Sequence, residues 1–137
     1  FHNAKIYINI INGKMNLDGS KFINDGIGLL ELNKSNLLFE NNNLILNTNI
    51  LFEIKNSKAL FSFLNTNKKS RKEIKKILIN LNYDFLSNQI EFNNIKIDNN
   101  DVNAQFFNIV DGFKDNNSNN LVKTRRLIND LLEAYEG

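Results

Sequence analysis

The feature that most constrains the fold of this chain is an alternation of apolar and polar residues that recurs along most of its length. Between Leu44 and Ile54, apolar residues and one threonine occupy the even positions, while Asn47, Asn49 and Glu53 occupy odd ones. A period of two places alternate side chains on opposite faces of a β-strand. The alternation therefore predicts a strand here with one apolar face.

The same period governs Ile77–Phe85 and returns in Gln89–Ile97 after the short polar connection Leu86–Asn88. We predict that these two runs pair as a β-hairpin, with the connection as its turn. The period slips by one residue at Asn93–Asn94, which is what a β-bulge produces. The predicted register places the following side chains on one face: Ile79, Leu81, Tyr83, Ile90 and Phe92.

Residues 72–82 also fit a helical period, because Ile74, Ile77, Leu78 and Leu81 recur at intervals of three and four. The alternation that continues through Phe85 favours a strand from Ile77 onward. Five weaker runs are also predicted as strands: Lys5–Asn12, Lys14–Leu17, Ile27–Leu32, Leu37–Glu40 and Val102–Val110.

Two segments favour helices. Ser57–Leu64 follows the capping residue Asn56 and carries apolar residues at helical spacing. Leu121–Glu136 is amphipathic, with Gly137 as a natural stop. Its predicted apolar arc comprises Leu121, Thr124, Leu127, Ile128, Leu131, Leu132 and Tyr135, and its polar arc comprises Lys123, Arg126, Asp130 and Glu133.

Together these patterns predict a mainly β fold over residues 1–137: a single domain with a curled antiparallel sheet, open and groove-like, one short helix and a C-terminal amphipathic helix. The same alternation also fits a closed sandwich, in which the apolar face is core. The chain begins at Phe1 and not at Met, so we expect it to be a piece of a longer protein.

Composition narrows the classes of function. The 17 basic and 15 acidic residues leave a net charge of +2, without the strong basic excess of a dedicated nucleic-acid binder. The chain has no cysteine, which excludes disulfides and thiol chemistry. Asn is abundant alongside Lys, Ile and Phe, a bias typical of an AT-rich genome, so we attribute much of the Asn to drift at solvent positions and not to a functional asparagine ladder.

The densest basic run precedes the predicted hairpin and consists of Lys68, Lys69, Arg71, Lys72, Lys75 and Lys76. It either keeps the following apolar strand soluble or attracts anionic lipid headgroups. Nucleic acid fits less well, because no aromatic residues are interleaved for base stacking. The headgroup candidates are Lys72, Lys75 and Lys76.

Metal-binding and catalytic patterns are weak. The loop from Asp115 resembles the start of a calcium loop, but Asn120 stands where glycine is needed and Arg126 where glutamate is needed. The carboxylates of Asp98–Asp101 fit a turn, and the one histidine is His2 near the terminus. We therefore expect no metal, no cofactor and no catalytic residues, so that the protein is not an enzyme.

The second half of the chain resembles a known family in the order of its elements. A strand and a short helix precede the basic turn "RKEIKKI", which leads into "LINLNYDFLSNQIEFNNIKID" and the closing helix "RRLINDLLEAYEG". This order, from Leu44 to Gly137, resembles the C-terminal part of AsmA-like bacterial envelope proteins, in particular the alphaproteobacterial type.

The resemblance implies a function. AsmA-like proteins are anchored in the inner membrane by an N-terminal helix and project into the periplasm, where an apolar β-groove carries phospholipid toward the outer membrane. The resemblance therefore implies that this chain is the C-terminal fragment of a longer envelope protein. We expect a periplasmic domain that contributes to phospholipid transport and outer-membrane biogenesis, with phospholipid and envelope proteins, and no nucleic acid, as partners. The alternative is a surface or phage-type β module that binds another protein. The lipid-groove candidates are Leu44, Leu46, Ile50, Phe52, Ile54, Ile77, Ile79, Leu81, Tyr83, Phe85, Ile90 and Phe92.

Overall fold

The computed structural model describes residues 2–102, 104–114 and 121–135, with the backbone alone at 113–114 and 121–125. In the described chain all the strands belong to one antiparallel sheet that stays open. The strands are β1 Asn3–Lys5, β2 Asn9–Ile11, β3 Lys14–Asn16, β4 Lys21–Asn24, β5 Gly28–Glu40, β6 Asn43–Ile54, β7 Lys76–Asp84, β8 Gln89–Ile97 and β9 Asn100–Asp101. The prediction of a mainly β fold with an open antiparallel sheet is confirmed, and the described residues contain no second sheet that would make a sandwich.

The sheet is a meander in which each long strand pairs with its neighbour in sequence. The order runs β1–β4–β5–β6–β7–β8–β9, and the short pair β2–β3 extends the β1–β4 side next to β5. Tight turns make this possible: Asn41 and Asn42, between β5 and β6, both have positive φ, at 50° and 62°. Asparagine tolerates this left-handed region better than most residues, which suits a two-residue hairpin turn.

The β7–β8 hairpin confirms the predicted register. Leu81 lies opposite Phe92, and Tyr83 lies opposite Ile90. The register shifts between Asn80 and Leu81, at the predicted slip of phase. The strand prediction from Ile77 onward is therefore confirmed, with β7 beginning one residue earlier.

A second bulge lies within β5 and explains why this strand was predicted as two. Ile27–Leu32 and Leu37–Glu40 were separate predictions, but they belong to one strand whose register against β6 shifts between Asn33 and Asn36. Lys34 has a φ of 50° at this point, so it absorbs the extra residue. The phase slip made one long strand resemble two short ones.

The first thirty residues also differ in detail from the prediction. Lys5–Asn12 divides into β1 and β2, Lys14–Leu17 shortens to β3, and β4 was not predicted. Tyr7 lies between β1 and β2, and its backbone bonds to a side chain and not to a neighbouring strand. The Ser20 Oγ accepts a hydrogen bond from the Tyr7 amide at 3.0 Å and donates to the Tyr7 carbonyl at 3.2 Å.

The described residues contain three α-helices, α1 Ser57–Leu64, α2 Ala104–Lys114 and α3 Leu121–Ala134, and a short 3-10 helix at Lys68–Ser70. The first two-turn helix is confirmed, and its N-cap Asn56 accepts from the amide of Ala59 at 3.1 Å. The C-terminal helix is confirmed to Ala134; Glu136, the predicted end, lies outside the described residues. Within its predicted apolar arc Leu127 and Leu132 are buried, but Ile128 is exposed.

The strand prediction for Val102–Val110 was wrong, because most of this segment forms α2. Phe106 and Val110 are one helical turn apart and both are buried, so the helical spacing and not the alternation determines the structure. A short apolar run fits both periods, and packing against the core decides between them.

The three helices complete a hydrophobic core at one end of the sheet. Its buried members are Ile54, Leu60, Phe61, Leu64, Ile74, Ile95, Ile97, Phe106, Val110 and Leu132. Asn129 of α3 fastens this end: its Oδ1 accepts from Thr66 Oγ1 and its Nδ2 donates to the carbonyl of Leu64, both at 2.5 Å. The second bond satisfies a carbonyl at the C-terminus of α1, which has no partner within the helix.

Candidate functional site

Directly opposite residues of an antiparallel sheet share a face, so the register defines the surface that the alternation predicted. The apolar face, as we name it here, consists of rows of such partners that run across β5, β6, β7 and β8. One row is Leu30, Phe52, Ile77 and Ile97, the next is Leu32, Ile50, Ile79 and Ile95, and a more distant one is Leu37, Leu46, Tyr83 and Ile90. The lipid-groove candidates that lie within strands all share this face.

Part of the apolar face belongs to the core. Ile54 is a buried member of the core, and Phe52, Ile77, Ile79 and Phe92 pack against the core. These five candidates therefore stabilise the end of the sheet that the helices cover.

The remaining candidates lie outside that core, and we call them the uncovered part of the apolar face: Leu44, Leu46, Ile50, Leu81, Tyr83, Phe85 and Ile90. All except Phe85 are half-buried, as expected for a sheet of one layer in which neighbouring side chains cover only each other's flanks. Phe85 follows β7 and is exposed, and its ring meets Tyr83 edge-to-face with centroids 4.7 Å apart.

The other half of this surface was not visible in the sequence pattern. Met15 lies opposite Leu37, and Leu37 lies opposite Leu46, so β3 and β5 extend the apolar face beyond β6. Phe39 lies opposite Leu44 and is 68% exposed. The alternation in Leu37–Glu40 was visible, but only the bulge at Lys34 reveals that it continues the same face.

One polar pair lies within the apolar face. Ser35 and Thr48 are both buried, and their hydroxyl groups form a hydrogen bond with each other. Each hydroxyl thus has a partner, which removes most of the cost of burying it. The pair joins β5 to β6 directly beside the bulge.

Of the headgroup candidates, Lys72 has a structural role. Its Nζ donates to the backbone carbonyl of Tyr135 at 2.8 Å and lies 5.8 Å from the centroid of the Tyr135 ring. A cation at the C-terminal end of α3 also favours the helix dipole. Lys72 therefore holds α3 in place.

The other two lysines lie elsewhere. Lys76 pairs with Glu53 and, by the alternation of β7, faces away from Ile77 and the apolar face. Lys75 is strongly exposed, with its Nζ 4.0 Å from Glu73 Oε1. The structure does not bring the three lysines together into one patch beside the apolar face.

The opposite face carries asparagines in register, which the sequence analysis attributed to drift. Asn33, Asn49, Asn80 and Asn94 lie directly opposite one another on four successive strands. We call these four residues the asparagine row. The sequence does not reveal this row, because its four members come from separate strands and only the register of the bulged strands aligns them.

Among the described residues, Asp84 at the end of β7 has a shifted pKa. The carboxylate of Asp84 accepts hydrogen bonds from the Ser87 side chain and from the amides of Leu86, at 2.8 Å, and Ser87, at 3.3 Å. These bonds favour the ionised form and hold the pKa of Asp84 below its ordinary value. The arrangement stabilises the turn between β7 and β8.

Other kinds of site find no support in the described residues. No cluster of three or more metal-ligating side chains occurs among them, and no described helix is long and apolar enough to cross a bilayer. The candidate calcium loop from Asp115 lies largely outside the described residues.

Comparison with protein-family models, with curated proteins and with solved structures found no match to this chain. The functional interpretation therefore depends on the geometry of the two faces and on the resemblance of the sequence pattern.

Proposed function

We propose that the uncovered part of the apolar face contacts the acyl chains of phospholipid, and that the chain is an AsmA-like periplasmic domain contributing to lipid transport and outer-membrane biogenesis. The observation that carries this proposal is an apolar face that is continuous across four long strands but belongs to the helix-covered core at one end only. The parent protein would be anchored in the inner membrane, and other envelope proteins would be its partners.

The expected affinity is low. Each methylene that leaves water contributes about 0.8 kcal/mol, and contact with a single-layer sheet covers only about half of its surface. About ten methylenes would then supply about 4 kcal/mol, which corresponds to a dissociation constant near 1 mM. Such binding suits a surface along which lipid moves, and it needs no covalent chemistry.

We expect the charged headgroup candidates to contribute little to the binding free energy. Lys72 is occupied with Tyr135, and Lys76 faces the other side of the sheet, so of the headgroup candidates Lys75 alone remains strongly exposed. We therefore propose recognition of the lipid tail, with little selectivity for the headgroup.

Site-specific photo-crosslinking in cells tests the proposal. A photoreactive amino acid at Leu46 or Leu81 should capture phospholipid, while the same group at Asn47 or Asn82, on the opposite face of the same strands, should not. Phe52 serves as a further control, because it shares the apolar face but packs against the core. Equal capture from both faces would indicate only proximity to membrane, and no capture from Leu46 or Leu81 would contradict the proposal.

A second candidate function is supported by the edge of the sheet. Ile10 and Ile11 in the edge strand β2 are 66% and 56% exposed, and Ile6, Tyr7 and Ile8 before it are exposed as well. An exposed edge with apolar side chains can accept a strand from another protein. A photoreactive group at Ile10 that captured one protein repeatedly, with no lipid captured from Leu46 or Leu81, would favour a protein-binding module.

A further inference from the structure

Two hydrogen bonds link the side-chain amides of Asn49, Asn80 and Asn93 on the face of the asparagine row. The Nδ2 of Asn93, at the β8 bulge, donates to Asn80 Oδ1 at 2.8 Å, and Asn80 Nδ2 donates to Asn49 Oδ1. Neighbouring strands are about 4.8 Å apart, so the amides of the row recur at about that interval. A side-chain amide is both a donor and an acceptor, and these bonds use only part of its capacity.

A hollow opens along this row. Its volume is about 370 Å³, and the asparagine row lines it together with Leu51, Leu78 and Lys96. Ile79, between Leu78 and Asn80, also borders the hollow, although by the alternation of β7 its side chain belongs to the apolar face. Leu51 and Leu78 lie directly opposite each other, one step along the strands from Asn49 and Asn80. An apolar floor thus adjoins a row of amides, and the volume falls in the lower part of the range of about 300–1,000 Å³ that is usual for small-molecule sites.

The electrostatics of the hollow favour an uncharged ligand. Lys96 is the charged residue among those that line it, and its Nζ lies 3.0 Å from Asp101 Oδ1. On the other side Glu31, opposite Leu51, lies 3.2 Å from Lys21 Nζ. Lys96 and Glu31 thus each have a counterion.

We propose that this hollow binds a neutral carbohydrate, as a short stretch of an uncharged glycan. Adjacent hydroxyl groups of a sugar each donate and accept, which matches the donors and acceptors of successive amides in the row. The C–H face of a pyranose ring would lie on Leu51 and Leu78. The site is on the face opposite the proposed lipid surface, and the inference does not depend on that proposal.

Other ligands fit less well. An acyl chain would desolvate the amides without offering them partners. An anion would have to compete with Asp101 for Lys96. An extended peptide forms its main-chain bonds at a sheet edge, whereas the hollow lies over the central strands.

The test is NMR titration of the ¹⁵N-labelled protein with neutral disaccharides: cellobiose, maltose and N,N′-diacetylchitobiose. With at least one of them we expect saturable shifts of the side-chain amide signals of the asparagine row. The Asn80→Ala variant should bind that sugar about tenfold more weakly. The control Asn82→Ala, on the same face but outside the hollow, should bind as the parent does.

Because Asn80→Ala also removes bonds within the row, Leu51→Trp provides a second test. Its indole fills the hollow and leaves the amides in place, so a folded Leu51→Trp protein should lose the saturable shifts. Binding retained in that variant would overturn the proposal. So would the absence of saturable shifts with all three sugars, stronger binding of inorganic phosphate or of an asparagine-rich hexapeptide, or shifts of Asn47 and Asn82 as large as those of the row.

Discussion

Truncation of two side chains of the apolar face, one in its uncovered part and one in the core, measures whether the face is open in solution. Leu81 is half-buried and lies outside the core, while Ile95 is 2% exposed beneath the helices. Both become alanine, and each substitution removes three carbon atoms.

The expected losses in the free energy of unfolding differ because only the substitution at Ile95 leaves a closed cavity. Three fully buried carbons are worth about 2.4 kcal/mol. At Ile95 a cavity of about 60 Å³ adds about 1.4 kcal/mol, so Ile95→Ala should cost about 4 kcal/mol. At Leu81 water can fill the space on the open side of the sheet, so no cavity remains. Because Leu81 is only half-buried, it loses only part of the burial free energy of three carbons, and Leu81→Ala should cost about 1–2 kcal/mol.

Urea denaturation followed by far-UV circular dichroism provides the measurement. With an m-value of about 1.5 kcal/mol/M, the midpoint should fall by about 1 M for Leu81→Ala and by about 2.5 M for Ile95→Ala. If Ile95→Ala does not fold, Ile95→Val gives a loss of about 0.5–1.5 kcal/mol at the same site. A loss at Leu81 as large as that at Ile95 would refute the reasoning, because it would mean that another layer covers the face.

Two further predictions concern backbone contact and pH. Gly28→Ala should prevent folding or strongly destabilise the protein, because its Cβ would lie 2.0 Å from the carbonyl oxygen of Glu53, whereas Gly26→Ala meets its nearest atom at 3.5 Å and should melt close to the parent. A mild effect of Gly28→Ala in thermal denaturation would contradict this contact. The lowered pKa of Asp84 means that its contribution to stability is present above the unfolded-state pKa and is lost as pH falls through the folded-state pKa. Asp84→Asn should therefore flatten the acid side of the stability profile, and an NMR titration that placed the pKa of Asp84 at or above 3.8 would be inconsistent with the Ser87 bonds.

The sequence predicted the parts of the fold that one period determines. The hairpin from Ile77 to Ile97 was predicted down to its register and its bulge, since the alternation there is long and the slip falls at two polar residues. Helix α2, Ala104–Lys114, was missed because its few apolar residues fit both periods, and only contact with the core distinguishes them.

The sequence predicted the candidate site only within single strands. Strand alternation correctly placed Leu46 and Leu81 on one face, but it contains no information about which part of that face the helices cover. Lys72 looked like a solvent cation because its partner Tyr135 is distant in sequence. The asparagine row was invisible for a related reason: its members come from four strands, and the bulges at Lys34 and Asn93 set their alignment.

The meander also has a consequence for the order of folding. Each long strand pairs with its neighbour in sequence through a short connection, so most pairings need only local chain closure, and such local topologies fold quickly for β proteins. Two of the three helices that complete the core, α2 and α3, come after every strand. During synthesis, at about 5–20 residues per second, the last strand can therefore be complete several seconds before α3 has been fully synthesised. Over that interval the nascent chain presents the part of the apolar face that α2 and α3 later cover, and it is then that a chaperone or a membrane surface competes with α2 and α3 for the same side chains.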